Sequence, residues 1–313
     1  MLALVRASAH PAADAAPRTP PDQAMRPDLT RLAIPAAMAC AVAAIVIGER
    51  RFPLRSRTQP GPQRIVTNLV LGAMSMAVVA AVEGPLVRHL ADQASNRRRG
   101  LAQAAPLPAW ARDGLAVLGM DYTIYLWHIL THKVPALWRL HLIHHMDLDL
   151  DASTALRFHA VDMLVSVPYR AAQVALLGVS ARALRVWQGF FFLSVLFHHS
   201  NLRLPGQLDR RLSWLLTTPR MHGIHHSTRP EETGSNWSSG LSLWDRLHHT
   251  FRIGVPQRRI HIGVPAFRDP AETHVWPSLR RPFRPQRDAW APAGRADDDH
   301  VTQGRVDRIA GTV

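Results

Sequence analysis

Two uncharged runs do most to constrain this chain. Residues 32–48 (LAIPAAMACAVAAIVIG) and 65–82 (IVTNLVLGAMSMAVVAAV) contain no acidic, basic or histidine side chain. At about 1.5 Å per residue, a helix of either length is just long enough to cross a bilayer core. Pro35 lies near the start of the first run, where a helix tolerates it best. The basic, proline-containing stretch 51–64 between the runs reads as a short loop. Together they predict a transmembrane hairpin.

A third apolar segment extends from Trp110 to Trp127 and carries Arg112, Asp113 and Asp121. Trp110, Tyr122, Tyr125 and Trp127 crowd its ends, as interfacial aromatics do. A charge such as Asp121 inside a membrane segment is a candidate functional residue, with a helix-cap role as the alternative. Residues 161–179 and 184–197 form a further apolar pair, the first of which holds Pro168 and Arg170. The expected fold is all-α: a polytopic membrane protein of about four transmembrane helices under a cytosolic, histidine-rich helical cap. Residues 1–29, rich in Ala, Pro, Asp and Arg without an apolar period, are expected to be disordered. Residues 30–255 form the membrane-embedded domain, and 256–313 a basic, Pro-rich tail, loosely ordered from 268 onward.

Average composition hides this segregation, with 47% hydrophobic and 19% charged residues. A formal net charge of +14 suits either nucleic acid or anionic lipid headgroups. The arginines decide between them. They flank apolar runs, as Arg50, Arg51, Arg97, Arg98 and Arg99 do, instead of forming a basic stripe interleaved with aromatics. The reading is membrane anchoring, with no nucleic-acid partner. Cys40 is the single cysteine, so no internal disulfide or thiolate cluster exists. Within its apolar run it reads as a small buried hydrophobe. Any metal must be held by nitrogen and oxygen.

Histidine is the outlier, at 18 residues. Three clusters stand out: His128 and His132 (HILTH), His141, His144 and His145 (HLIHH), and His222, His225 and His226 (HGIHH). Residues three or four apart share a helix face. Each cluster can therefore aim two or three imidazoles at one point. Eight imidazoles exceed what one metal takes and suit two metals in a shared cavity. There is no H-E-x-x-H, and no cysteine to close a structural zinc site. Open positions on a neutral nitrogen shell favour iron and dioxygen. The clusters lie at the ends of apolar segments, where a lipid chain can reach them from the bilayer. A membrane metal transporter, the rival from another class, needs ligands midway along its spans, and 32–48 and 65–82 have none.

In order, WHILTHKVPALWRLHLIHH, TALRFH, FHHSNLRLP, TPRMHGIHHS and NWSSGLSLWDRL resemble the fatty acid hydroxylase superfamily, also called the sterol desaturase family. The resemblance covers roughly residues 65–250. It implies a helical membrane oxidoreductase with two iron ions, for which zinc may substitute, that hydroxylates or desaturates lipids with O2 and electrons from an external donor. By motif match it implies metal ligation by the eight clustered histidines, and by His199 in the H-S-N run. His198 and His159 are candidates for a ligand or a supporting role. Asp121, Asp147, Asp151, Asn201, Asn236 and Asp245 are candidates to orient imidazoles through their second nitrogen. Arg157 is expected to meet an anionic lipid headgroup or an acidic neighbour.

The chain departs from the family pattern at Trp244-Asp245-Arg246-Leu247-His248-His249-Thr250, where a Phe-Gly pair has become His248-His249, and at Asn236-Trp237-Ser238, where Asn-Tyr-Gly is usual. The function expected is hydroxylation of a membrane-lipid C–H bond (fatty acyl, sterol or related). Desaturation, ether-lipid cleavage and carotenoid oxidation are alternatives on the same centre. No haem motif, dinucleotide fingerprint or Cys cluster is present, so a separate reductase, ferredoxin or cytochrome must supply electrons. Iron and reductant place the histidine face in the cytoplasm, at the inner or plasma membrane.

Overall fold

The computed structural model describes residues 29–59 and 61–292. The expected disorder of the N-terminal segment therefore falls outside the described residues up to 28, as does the end of the tail, 293–313. Two compact units divide the chain, Met1–Ala39 and Cys40–Val313. The described part of the first is the beginning of one helix.

Helices make almost all of the regular structure. In chain order the long ones are α1 (Leu29–Arg51), α2 (Pro62–Val78), α3 (Gly84–Arg97), the short α4 (Leu101–Ala104), α5 (Ala109–Lys133), α6 (Pro135–His145), α7 (Ala160–Leu177) and α8 (Ala181–His199). Short helices follow: α9 (Gly206–Leu212), α10 (Pro219–His225), α11 (Pro230–Thr233), α12 (Leu243–Leu247) and α13 (Val275–Arg280). Among the described residues, extended pairing is limited to three isolated bridges. Three stretches among the described residues are long and apolar enough to cross a membrane: Ala33–Arg51, Pro62–Ala104 and Ala160–Leu177. The segments expected beside them, α5 and α8, are helical but more polar, with Arg112, Asp113, Asp121, Arg182 and Arg185. Cys40 is exposed on α1 and not buried as expected, because α1 packs inward mainly through Val42, Ile45 and Val46.

Between α2 and α3 the helix widens into a π turn, Val79–Glu83. Its physical cause is Pro85. A proline ring collides with the carbonyl four residues back and offers no N–H. The helix responds by bonding Gly84 N–H to the Val79 carbonyl, five residues back, and continues. The bundle core combines small and medium side chains, among them Val87, Ala91, Met120 and Val174, with the large ring of Trp187. Small residues let the chain turns approach closely: Gly100 (φ +92°) lies against Gly178 (φ +69°), each in a conformation other residues rarely adopt.

The tail differs from expectation. Val264, Phe267 and Ala289 are buried against Leu142, Ile143 and Met146. Arg157 explains the anchoring. It is fully buried and meets neither headgroup nor carboxylate. Its guanidinium donates to the Ile143 carbonyl (2.8 Å), Asn68 Oδ1 (2.9 Å), the Thr273 carbonyl (2.8 Å) and Ser278 Oγ (3.0 Å). A buried charge needs every donor met, and the tail supplies two of the acceptors.

Candidate metal centre

Local chain geometry brings the histidines together. Val134, held extended before Pro135, breaks the helix between α5 and α6. The break folds α6 back so that His128 and His132 face its histidines, with ring centroids 5.3 Å apart for His128–His141 and 4.6 Å for His132–His145. Pro219 opens α10 and sets His222, His225 and His226 on one turn. The last turn of α8 delivers His198 and His199.

Two groups of four result. His128, His132, His145 and His225 form the first, and His144, His199, His222 and His226 the second; within each, the candidate ligand atoms lie within 4.8 Å of one another. His141 makes a third group with His144 and His145, so it stands between the two. In the second group the Nε2 atoms converge: His199 to His144 3.0 Å, His222 to His199 3.0 Å, His226 to His222 3.1 Å. His199 Nδ1–H donates to the Val195 carbonyl at 2.8 Å, which makes its Nε2 a bare lone pair. In the first group His128 Nδ1–H donates to the Trp237 carbonyl (2.7 Å) and His225 Nδ1–H to the Ser235 carbonyl (2.9 Å). Those bonds likewise leave Nε2 free on both rings.

The donor set fits metal. His132 Nε2, His145 Nε2 and His225 Nε2 are buried without a hydrogen-bond partner, as is Nε2 of His141. Buried polar atoms are normally paired, and a cation satisfies several lone pairs at once. Burial, reinforced by the neighbouring imidazoles, holds His144, His145, His222 and His226 well below the ordinary histidine value. Burial brings His225 down to about 3. The rings are therefore neutral and able to bind metal. Such clusters are compatible with a pair of iron ions or a similar metal pair.

The remaining candidates sit further out. Asp245 accepts from the backbone N–H of Trp237 (2.8 Å) and Ser238 (3.1 Å) and from Thr250 Oγ1 (2.7 Å). It thereby fixes the carbonyl that holds His128. Asn236, at φ +55°, donates to the Met221 and Arg252 carbonyls. Asp121 accepts from Leu241 N–H (3.0 Å) and Trp244 Nε1 (2.7 Å), so it secures the loop before α12 and touches no imidazole of the two groups. Asn201 pairs with the backbone of Arg55. Asp147 and Asp151 share Arg64, each at 2.6 Å. His159 accepts from Val161 N–H through Nδ1 and bonds the Leu279 carbonyl through Nε2, outside both groups. His198 packs on His222, with centroids 4.1 Å apart, and also lies outside them. His248 stacks on Tyr122 and Tyr125, and His249 takes the left-handed φ of +58° that the usual glycine would suit. The two carbonyls, from Trp237 and Ser235, were not readable in sequence, because backbone acceptors carry no side-chain signature.

Beside the second group lies a cavity of about 460 Å³ between α2, α5, α7 and α8. His128, His141, His144, His199 and His222 form part of its wall, and much of the rest is apolar, including Ile124, Leu156, Phe158, Phe191 and Val195.

Comparison with known proteins agrees with this geometry. The family model described as Fatty acid hydroxylase matches residues 114–250. The chain is 30% identical over 160 residues to the ornithine lipid hydroxylase OlsE of Rhizobium tropici, covering 50% of this chain and 47% of that protein. It is 28% identical over 144 residues to alkylglycerol monooxygenase of Xenopus tropicalis (46% and 30%). It is 24% identical over 161 residues to cholesterol 25-hydroxylase of Rattus norvegicus (50% and 52%). The chain thus spans about half the length, or less, of these curated relatives. No solved structure matches it significantly. The ordered histidine motifs, the two groups they build and these relatives agree: residues 114–250 of the chain match the Fatty acid hydroxylase family.

Proposed function

We propose that this protein hydroxylates a C–H bond of a membrane lipid, using O2 and a separate electron donor. The observation that carries the reading is the sharing of a wall: the histidine groups border a largely apolar cavity inside a helical bundle. The first four-histidine group would hold one iron and the second another, with His141 between them. When bound, the iron pair supplies the activation of O2 that attack on an unactivated C–H requires. The balance is RH + O2 + 2e⁻ + 2H⁺ → ROH + H2O.

The chain's own residues bind and orient. The Trp237 and Ser235 carbonyls fix ring tautomers, Asp245 fixes the loop that carries one of them, and Phe158 stacks on His144 (4.4 Å between centroids) and shields it from water. The relatives named for ornithine lipid, alkylglycerol and cholesterol support a lipid substrate, and as hydroxylases or monooxygenases they favour hydroxylation over desaturation. The bundle is read as about four crossings with its histidine face in the cytoplasm, where iron and reductant are found.

Lipidomics of cells with and without the protein under 18O2 tests this directly. One lipid class is expected to gain a single 18O atom only when the protein is present. An unlabelled lipidome together with purified protein free of iron would overturn the reading. Iron uptake into proteoliposomes without oxygen consumption would favour a transporter instead.

A further inference from the structure

The cavity beside the histidines has a second polar wall, for which C–H oxidation has no use. It is formed by Glu83 in the π turn, Arg170 on α7 and Trp187 on α8, and all three line the cavity. The Glu83 carboxylate stands 3.6 Å from Arg170 Nε, beyond hydrogen-bond range. Arg170 Nη1 is taken by Gln173 at 2.7 Å, and the guanidinium lies 4.8 Å over the Trp187 ring. Two donors are left over. Arg170 Nε–H and Trp187 Nε1–H are buried without a partner. Leaving such groups unpaired is costly, and π turns recur at functional positions. This π turn also sets Glu83 on the cavity side.

We propose that Glu83, Arg170 and Trp187 form the subsite for the polar end of the lipid substrate, and that this end is an uncharged hydroxyl. A hydroxyl both accepts and donates. Its oxygen accepts from the Arg170 and Trp187 N–H groups, and its O–H donates to the Glu83 carboxylate. A carboxylate or phosphate meets Glu83 with like charge, and an ammonium meets Arg170. The pair is charge-balanced and offers no compensation for a net charge buried beside it. The subsite also sets a length. Trp187 precedes His199, the α8 histidine of the second group, by twelve positions, a rise of about 18 Å along the helix at 1.5 Å per residue. The carbon oxidised is then far along the lipid from its polar end. The subsite's role toward the substrate and this last consequence rest on the function proposed above; the binding of a hydroxyl there does not.

Binding of four probes of equal chain length, 1-dodecanol, dodecanoate, dodecylamine and dodecane, separates the possibilities. Excess radiolabel on protein in nanodiscs incubated with ferrous iron, over empty nanodiscs, is the readout. Wild type is expected to bind the alcohol at least about tenfold more tightly than the acid, the amine or the alkane. Trp187→Phe should narrow the alcohol-to-alkane ratio by about fivefold. Glu83→Gln, which keeps an acceptor but removes the negative charge, should shift preference toward dodecanoate. A merely structural ion pair would change the affinity for all four probes together. Preference for dodecanoate in wild type, or unchanged ratios in both variants, would overturn the subsite. Metal content, measured on the same samples, reports separately on the oxygenase reading. Alcohol preference without bound metal would sink that reading and uphold this one.

Discussion

Neighbouring histidines in this chain fall into different four-histidine groups. His144 and His145 are about 100° apart on a helix, and they belong to the second and first groups respectively. His225 and His226 are split the same way. The spacing of three and four was legible in sequence, and so was the gathering of the clusters. The partition between groups was not, because it depends on how α5, α6, α8 and α10 turn toward each other. Substituting His225 by Ala should disable the first group and His144 by Ala the second. Each variant is expected to lose turnover and metal while remaining in the membrane fraction, as measured by metal analysis of membranes and by product formation. Full activity in either would remove that residue from the site. His249 shows the reverse case, a departure visible in sequence whose meaning only φ reveals. A non-glycine residue in the left-handed region costs about 1–2 kcal/mol. His249→Gly is therefore expected to raise the unfolding midpoint in a thermal melt.

Elements were easier to read than their joins. The apolar runs became helices close to where their hydrophobicity placed them, since a long apolar segment has few other ways to satisfy its backbone. The π turn was not legible in the sequence, although Pro85 signals it, because a proline in an apolar run usually reads as a kink or an end. Arg170 was visible as a charge in an apolar helix, but Glu83 and Trp187 became its neighbours only through packing of α7 on the π turn and α8. The contact between Gly100 and Gly178 was likewise hidden. A Cβ built on Gly100 would come within 2.3 Å of Gly178 Cα. Gly100→Ala combines that collision with a positive φ, and should destabilise the protein by at least about 2 kcal/mol, read as a drop in the denaturation midpoint in detergent or nanodiscs.

At the scale of the molecule, burying so many imidazoles ties the stability of the fold to their protonation. His225, at about 3 when folded, has an ordinary value of 6.5 when exposed. The unfolded chain therefore takes up the proton first. The stability of chelator-treated protein is expected to be intact above pH 6.5 and to decline as pH falls from there toward about 3. Thermal melts across that range test the sign, and metal loading should flatten the dependence. The tail's anchoring was not legible in the sequence, because its few core residues, Val264, Phe267 and Ala289, follow no periodic pattern. The loop that carries the Trp237 and Ser235 carbonyls has a consequence in time. It leaves the ribosome after every histidine of the two groups, and its anchor Asp245 later still. A growing chain can thus gather all its imidazoles before His128 and His225 have their tautomers fixed. If the two groups take metal as proposed, ions that reach the half-built pocket would compete for it before those tautomers are set.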